Sequence, residues 1–299
     1  MIVFGVRYFV SRFDTVEKPY ERMSYDGKYH AFENEYALPM AYIAPSGLKD
    51  FDISGGNTFE KQNRIASYWT DGPIFIKAEP EIKLEGVVEP VQGHYERTGD
   101  EGYVVYNITV TEELPLYFYF YAPHRQNAEV FVNNEPYDVY FTVNHWNTLC
   151  AGSYSPGDEI EIRMKLTDES IDIDEACFYY ENPEAIKEWK KAADELDRTI
   201  GEVNEITSSH LMFETKSTEP VTVMMSIPYE SSWKITCDDK ELTPAPAMDV
   251  LMSFDVPEGE HVIEMKYTPE GTGIGIMASA AGIILFAVLI FCYRKKQGK

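Results

Sequence analysis

The sequence predicts a mainly β protein. We expect two β-sandwich modules of jelly-roll or immunoglobulin-like type, a small α+β N-terminal part, one amphipathic linking helix and a C-terminal transmembrane helix. Three observations lead to this prediction. Short segments of alternating apolar and polar residues fill most of the chain, one order of segments occurs twice, and a long apolar run lies near the C-terminus. Alternation with a period of two is typical of strands that bury one face.

The N-terminal part, residues 1–78, is predicted to be a small α+β cap. Its stretch NTFEKQNRIASYWTD is predicted to be helical, because Asn57 or Thr58 can cap it and apolar residues then recur at helical spacing. The inner face of this helix is expected to carry Phe59, Gln62, Ile65 and Trp69.

Residues 79–181 and 205–271 are predicted to form the two sandwich modules. Strict alternation in DEIEIRMKL indicates a half-buried strand, and LPLYFYFYAP indicates a strand covered on both faces, in preference to one that shows tyrosines to a ligand. Each module then repeats a proline bend, a polar turn and a proline-containing turn before a last strand, which indicates a duplicated unit. The matched pairs are Pro123 and Pro228, Asn133 and Asp238, Pro156 and Pro257, and Met164 and Met265.

Between the modules, residues 182–204 are predicted to form the linking helix. Asn182 can cap it, and Pro183 fits the first helical position, where a missing N–H removes no bond. One apolar stripe follows the helical period and favours a helix laid along a sheet over a dimeric coiled coil. The stripe consists of Ile186, Trp189, Ala193, Leu196, Ile200 and Val203.

The C-terminal run Ile274 to Tyr293 contains 20 uncharged residues. A helix of this length crosses a hydrocarbon core of about 30 Å, so residues 272–293 are predicted to span a membrane. Residues 294–299 carry several cations, which are typical of the cytoplasmic side, and residues 1–271 are therefore expected outside the cytoplasm. Small residues four apart, Gly275 with Ser279 and Ala278 with Gly282, favour packing against other transmembrane helices.

The chain is strongly acidic, with 50 Asp and Glu against 26 Lys and Arg and a formal net charge of −24. This balance argues against nucleic acid as a partner, because phosphates require a basic surface. The first residues, MIVFGVRYFVSRFD, make a poor export signal, since Arg7 interrupts the apolar stretch. We therefore expect the chain to be the end of a longer membrane protein, with a tail-anchored cytoplasmic protein as the alternative.

No catalytic constellation, metal site or cofactor site is predicted, because the histidines are scattered and no nucleotide-binding or nucleophile motif occurs. Asp172 and Asp174 point the same way on a strand and are candidate cation ligands, although a solvated acidic edge is the favoured explanation. The tryptophans flanked by polar residues are candidate glycan contacts, with packing in the core as the alternative. These are Trp69, Trp146 and Trp233.

Cysteine usage leaves two alternatives open. Cys150 and Cys177 can form a disulfide in an oxidising compartment, in which case Cys237 is left over. Alternatively, the three are isolated buried thiols.

Several stretches together resemble the YfhO family of bacterial membrane proteins. They are GVRYFV, FENEYALPMAYIA, NTFEKQNRI and IPYESSWKITCDDKEL, continued by FDVPEGEHVIEMKYTPEGTGIGIMASAAGI. The resemblance covers essentially the whole chain, as the C-terminal end of a larger polytopic protein. Ser232 and Asp238-Asp239 depart from the family pattern, which commonly has Gly before the Trp and Asp-Gly in the turn. A different turn geometry is expected there, because Asp takes positive φ less readily than Gly.

The resemblance implies a glycosyltransferase-C-like enzyme of the bacterial plasma membrane. Such enzymes are thought to transfer sugar from a polyprenyl-phosphate carrier to cell-envelope polymers such as lipoteichoic acid, with a catalytic carboxylate in an early extracytoplasmic loop. No position here matches that loop, so an accessory or acceptor-binding part is expected, with envelope glycan or teichoic acid as partner. The alternative is a non-enzymatic, membrane-anchored β-sandwich module that binds envelope glycans or a protein.

Overall fold

The protein was described from a computed structural model, which covers residues 7–11, 20–25, 29–122, 127–140, 148–197, 200–201, 205–207 and 209–298. It divides into two compact units. The first sandwich unit is residues 53–192, and the second sandwich unit combines residues 1–52 with 193–299.

The chain begins with strands β1 (Tyr8–Ser11), β2 (Tyr20–Tyr25), β3 (His30–Asn34) and β4 (Ala41–Ala44), a 3₁₀ turn (Leu48–Asp50) and helix α1 (Thr58–Ala66). There follow strands β5 (Phe75–Lys77), β6 (Glu81–Glu85), β7 (Val87–Val91), β8 (His94–Arg97), β9 (Tyr103–Thr109), β10 (Pro115–Tyr121), β11 (Ala128–Val132), β12 (Glu135–Tyr140), β13 (Leu149–Ser153), β14 (Glu159–Leu166), β15 (Ser170–Asp172) and β16 (Glu175–Glu181). Helix α2 (Pro183–Asp197) precedes β17 (Glu205–Ile206), β18 (His210–Ser217), β19 (Val221–Pro228), β20 (Trp233–Cys237), β21 (Lys240–Leu242), β22 (Ala245–Ala247), β23 (Leu251–Val256), β24 (Gly259–Tyr267) and helix α3 (Thr272–Gln297).

The first sandwich unit closes one apolar core between antiparallel sheets. One sheet has the order β13-β10-β16-β5, the other has the order β12-β11-β14-β9-β6, and β15-β8-β7 form a small third sheet. The predicted strands at 115–121 and 159–166 are confirmed, and their alternation sends Phe118 and Phe120 from one sheet and Ile162 and Met164 from the other into the same core. The tyrosines that alternate with the phenylalanines on β10 are half-buried.

The second sandwich unit has the same plan. Its sheets have the orders β17-β18-β24-β20-β21 and β22-β23-β19-β4, and their inner faces share a core that includes Phe213, Ile235, Phe254 and Met265. Strand β4 pairs with β19, so residues 41–44, predicted in the N-terminal cap, extend a sheet of this unit. Strands β1, β3 and β2 form a separate three-stranded sheet. The module limits drawn from the sequence stay a prediction.

Both α1 and α2 begin where their caps predict. The Asn57 side chain accepts from the N–H groups of Phe59 and Glu60, and Glu60 returns a bond to the Asn57 N–H, which completes a capping box. Helix α1 ends at Ala66, so Trp69 lies beyond the helix on which it was predicted. Asn182 caps α2 through the Ala185 N–H, at 3.2 Å.

Helix α2 is shorter than predicted. It ends at Asp197, and Ile200 instead forms an antiparallel bridge with Thr215, because β pairing there packs this side chain, partly buried, against the second core. Leu196, predicted on the apolar stripe, is 39% exposed, whereas Ile186 and Trp189 are buried as predicted. Val203 lies outside the described residues.

Helix α3 contains the predicted span and is the one helix of the described residues that is long and apolar enough to cross a membrane, with a hydropathy of 2.6. None of its residues is buried by the rest of the protein. Its large apolar side chains are therefore exposed, a state that a lipid environment stabilises.

The repeat predicted from the sequence has a shared structural detail. Asn133 and Asp238 each begin a two-residue turn with positive φ, at 50° and 47°. In the first unit, Asn133 donates its N–H to the Glu161 carbonyl and accepts the Glu161 N–H at 2.9 Å. In the second unit, Asp238 makes the same pair of bonds with Val262. Asp238 and Asp239 both have positive φ, and the bond from the Val262 N–H to the Asp238 side chain holds Asp238 in this conformation. A turn geometry different from that of other family members stays a prediction.

The three cysteines outside α3 are free thiols, so the predicted alternative of a Cys150–Cys177 disulfide is not formed. Strands β13 and β16, which carry Cys150 and Cys177, pair with opposite sides of β10. Their strands are thus about 10 Å apart, beyond the reach of a disulfide.

The small third sheet places one histidine between two carboxylates. His94 on β8 lies opposite Asp172 on β15, with its Nδ1 2.6 Å from Asp172 Oδ1. Its Nε2 is 3.2 Å from Glu96 Oε1. These hydrogen bonds, first to Asp172 and then to Glu96, raise the pKa of His94 above its ordinary value of 6.5.

Substitution of the turn residues distinguishes their roles. We expect Asn133→Ala to lower the free energy of unfolding by about 2 kcal/mol, because it removes the bond to Glu161 and places alanine at positive φ. Asn134→Gly is the matched control, since glycine adopts this φ freely, and its effect should stay within about 1 kcal/mol. Urea unfolding followed by circular dichroism measures both. Equal losses in the two variants would contradict the anchoring role of Asn133.

The His94 pair makes stability depend on pH. Because the folded pKa is raised, the charged pair stabilises the fold fully below the unfolded pKa of about 6.5, and this contribution is lost as pH rises through the folded pKa. We expect the Tm difference between wild type and His94→Gln to be larger at about pH 6 than at about pH 8.5. Asp172→Asn removes the first partner and should reduce this pH dependence. A Tm difference that does not vary with pH would count against the pair.

Candidate functional site

The candidate site is a shallow groove on the outer face of the second sandwich unit. Alternation on β20 and β24 sends Ile235, Ile263 and Met265 into the core and leaves the residues between them facing outward. The groove has a volume of about 220 Å³. It is lined by Lys234, Thr236, Asp239, Glu264 and Lys266.

The groove combines donors and acceptors in close ion pairs. Glu264 Oε1 lies 2.6 Å from Lys266 Nζ and 2.9 Å from His210 Nε2, so one carboxylate is held between two side chains from neighbouring strands. Lys234 Nζ lies 3.5 Å from Glu241 on β21. The pKa of Glu264 is lowered, first by the hydrogen bond from Lys266 and then by that from His210. Glu264 is therefore an anionic acceptor at neutral pH, beside two ammonium donors.

Such a surface suits a hydroxyl-rich or phosphate-bearing ligand. Ammonium groups donate to hydroxyl and phosphate oxygens, carboxylates accept from hydroxyls, and Thr236 can do both. The five lining residues lie on two adjacent strands and one turn of a single sheet, which fixes their spacing.

Trp233, predicted as a glycan contact, begins strand β20 next to the groove. Its ring packs against Tyr267 with the centroids 5.2 Å apart, and it contacts the second core. The Tyr267 hydroxyl donates to Glu230 Oε1 at 2.7 Å. Trp233 lies on the core side of the sheet, opposite the face that forms the groove, and is partly buried there.

The structure does not bring the predicted tryptophans together. Trp69 belongs to the first unit, where its ring meets Trp189 edge to face at 5.3 Å. Among the described residues, neither indole N–H has a hydrogen-bond partner. Trp146 lies outside the described residues. A role of these residues in glycan contact stays a prediction.

The predicted cation ligands belong to the first unit, whereas the groove belongs to the second. Asp172 directs one carboxylate oxygen to His94, and Asp174 is exposed at the surface after β15. Binding of a cation by this pair stays a prediction.

One cluster of possible metal ligands was not predicted from the sequence. Cys237, Asp238 and His261 place one possible ligand atom each within 4.8 Å of one another. Pairing of β20 with β24 brings His261 next to the turn that follows Cys237, a proximity that sequence separation conceals. The repeat alignment places Cys237 and Asp238 at the shared turn, but the proximity of His261 to that turn follows only from the strand pairing.

Contacts within the cluster and burial shift the pKa values of all three side chains. The hydrogen bond to Asp238 raises the pKa of His261, and the bond to the Glu258 carbonyl adds to this. The same His261 bond lowers the pKa of Asp238, with a further contribution from the Val262 N–H. Burial raises the pKa of the Cys237 thiol.

Three solved structures align with the chain at low similarity. A cycloisomaltooligosaccharide glucanotransferase from Paenibacillus sp., complexed with cycloisomaltoheptaose, has 8% identity and a TM-score of 0.23, covering 63% of this chain and 44% of that chain. A glycosyl hydrolase family 2 member from Bacteroides cellulosilyticus has 10% identity and a TM-score of 0.24, covering 89% and 31%. The conserved protein PA5104 from Pseudomonas aeruginosa has 8% identity and a TM-score of 0.17, covering 64% and 91%. Scores this low carry no argument about fold or function, and the chain spans less than half of the first two structures.

Comparison at the level of families gives a different result. No curated protein matches the chain. The family described as "Bacterial membrane protein YfhO" matches residues 2–279, a range that includes the first sandwich unit, the strands of the second unit and the beginning of α3. The chain therefore belongs to the YfhO family of bacterial membrane proteins.

Proposed function

We propose that this chain is the extracytoplasmic C-terminal region and last span of a YfhO-like membrane glycosyltransferase. In this proposal, the enzyme transfers sugar from a polyprenyl-phosphate carrier to a cell-envelope polymer such as lipoteichoic acid. This part is accessory and binds the acceptor, and no residue of it is assigned a catalytic role. The family match over residues 2–279 carries the proposal.

The connection between groove and span supports an acceptor-binding role. Strand β24, which supplies Glu264 and Lys266, ends at Tyr267, and α3 begins at Thr272. A linker of this length reaches at most roughly 18 Å when extended. The groove is thus tethered close to the membrane surface, where a lipid-linked donor would be used.

The composition of the groove supports the same class of ligand. Teichoic acids combine hydroxyls with phosphates, and the groove offers ammonium donors beside carboxylate acceptors. The surrounding surface is acidic, since the chain carries a net charge of −24. Long anionic polymers would be repelled by most of this surface, so recognition at the lysines of the groove would be localised.

Helix α3 supports membership in a larger bundle. Gly275, Ala278, Ser279 and Gly282 leave room for a neighbouring helix to approach closely. We infer that the partners of α3 are other transmembrane helices of a longer parent protein.

Membrane orientation can be tested directly. We expect external protease to degrade residues 1–271 on intact cells, while an epitope fused after Lys299 is protected, because the cations after the span stay in the cytoplasm. Immunoblots before and after permeabilisation measure both. Degradation of the β-rich region only after permeabilisation would instead indicate a tail-anchored cytoplasmic protein.

Acceptor binding can be tested at the groove. In the full chain reconstituted in nanodiscs, we expect Lys234→Ala/Lys266→Ala to weaken binding of purified lipoteichoic acid by about threefold to tenfold, because two exposed ammonium donors are lost. Lys216→Ala is the matched control, since Lys216 pairs with Glu260 on the same outer face but does not line the groove. Equal effects in both variants, or none, would refute acceptor binding at this site.

A sugar-transfer assay distinguishes the enzymatic proposal from the non-enzymatic alternative. Membranes that contain the complete protein should transfer sugar from a polyprenyl-phosphate donor, and the groove variant should raise the KM for acceptor without changing kcat. Acceptor binding without any transfer in those membranes would favour the alternative of a membrane-anchored module that binds envelope glycans.

A further inference from the structure

Cys237, Asp238 and His261 form a cluster at one end of the second sandwich unit. Cys237 is the last residue of β20, Asp238 begins the turn, and His261 lies near the start of β24. Their three ligand atoms all lie within 4.8 Å of one another. The cluster is separate from the face of the sheet that forms the groove, because Cys237 points into the core with 5% exposure.

The surroundings of His261 leave Nδ1 facing a carboxylate. Nε2 lies 3.0 Å from the Glu258 carbonyl oxygen, which can only accept, so Nε2 carries a hydrogen. Nδ1 lies 2.7 Å from Asp238 Oδ2, which is also an acceptor. At this distance a proton lies between the two atoms, and a metal ion would replace that proton once the two side chains move slightly apart. A histidine that donates its far N–H to a backbone carbonyl is the usual arrangement around a metal.

Asp238 and Cys237 complete the donor set. The Val262 N–H donates to Asp238 Oδ1 at 2.9 Å, which orients the carboxylate and directs Oδ2 towards His261. Cys237 is a free thiol at the edge of the second core. A metal ion would take the thiolate and displace the proton into solvent.

The first unit shows that the turn does not require these residues. Asn133 makes the same two backbone contacts as Asp238. The position before the turn is Val132 where the second unit has Cys237, and the position before Glu161 is Ile160 where the second unit has His261. An identical anchor thus forms from valine, asparagine and isoleucine. At all three of these positions, only the second unit has a residue whose side chain commonly binds metal ions.

We propose that Cys237, Asp238 and His261 bind a borderline-soft divalent cation of the zinc class. Sulfur and imidazole ligands select such ions over Mg²⁺ or Ca²⁺, which prefer oxygen alone. Bonds of about 2.0–2.3 Å in tetrahedral geometry place ligand atoms about 3.3–3.8 Å apart, so small side-chain rotations close the site. Three protein ligands leave a fourth position for water.

Metal uptake by the full chain tests this proposal. The chain in detergent micelles is dialysed against Zn²⁺ with Mg²⁺ in excess to occupy exposed carboxylates, and bound zinc is measured by elemental analysis. We expect one zinc ion per chain, and none in Cys237→Val/Asp238→Asn/His261→Ile, which carries the residues of the first unit. His94→Gln/Asp172→Asn is the matched control for another histidine–carboxylate pair and should retain the ion.

A second measurement uses the wild-type chain and two single cysteine variants. Co²⁺ bound to the wild-type chain should give a thiolate-to-metal charge-transfer band. This band should disappear when Zn²⁺ is added, because Zn²⁺ displaces the bound Co²⁺. That band should be absent in Cys237→Ser and present in Cys150→Ser. No charge-transfer band in the wild type, or equal zinc uptake by wild type and triple variant, would overturn the proposal.

Discussion

The second sandwich unit depends on the alternation of side chains along strand β24. This strand pairs with β18 on one side and β20 on the other, so it is central to its sheet. Its inward residues Ile263 and Met265 have no exposed surface, and the alternating residues Glu264 and Lys266 line the groove. Because the period of a strand is two, a shift of register by one residue would exchange these faces. Core and candidate site are therefore fixed by the same pairing.

The duplicated turn shows how one scaffold accommodates different chemistry. In both units the first turn residue is tied to the last strand by its own N–H and by a side-chain oxygen, so the backbone is held whatever residues surround it. The first unit surrounds its turn with apolar residues and buries them. The second unit is free to place a thiol, a carboxylate and an imidazole at the same positions, because the anchor needs only an oxygen at the first turn residue.

Charge and hydrophobicity are segregated along the chain. Acidic residues are distributed over the β-rich part, where they are solvated or paired, and the large apolar side chains of α3 are exposed. In water such a helix would aggregate, whereas in a bilayer its backbone bonds are satisfied internally. These features agree with membership of the YfhO family of bacterial membrane proteins and with α3 as the candidate membrane span.

The sequence by itself determined the elements whose signals are local. Period-two alternation located strands such as β14, Asn57 and Asn182 located the starts of α1 and α2, and the uncharged run located α3. Tertiary structure decided what depends on contacts between distant segments. Strand pairing places residues 41–44 in a sheet of the second unit, and Ile200 forms a β-bridge where a helix was predicted. Strand pairing also brings His261 next to Asp238. Local spacing carries no information about which strands become neighbours, because their pairing is set by burial of a shared core.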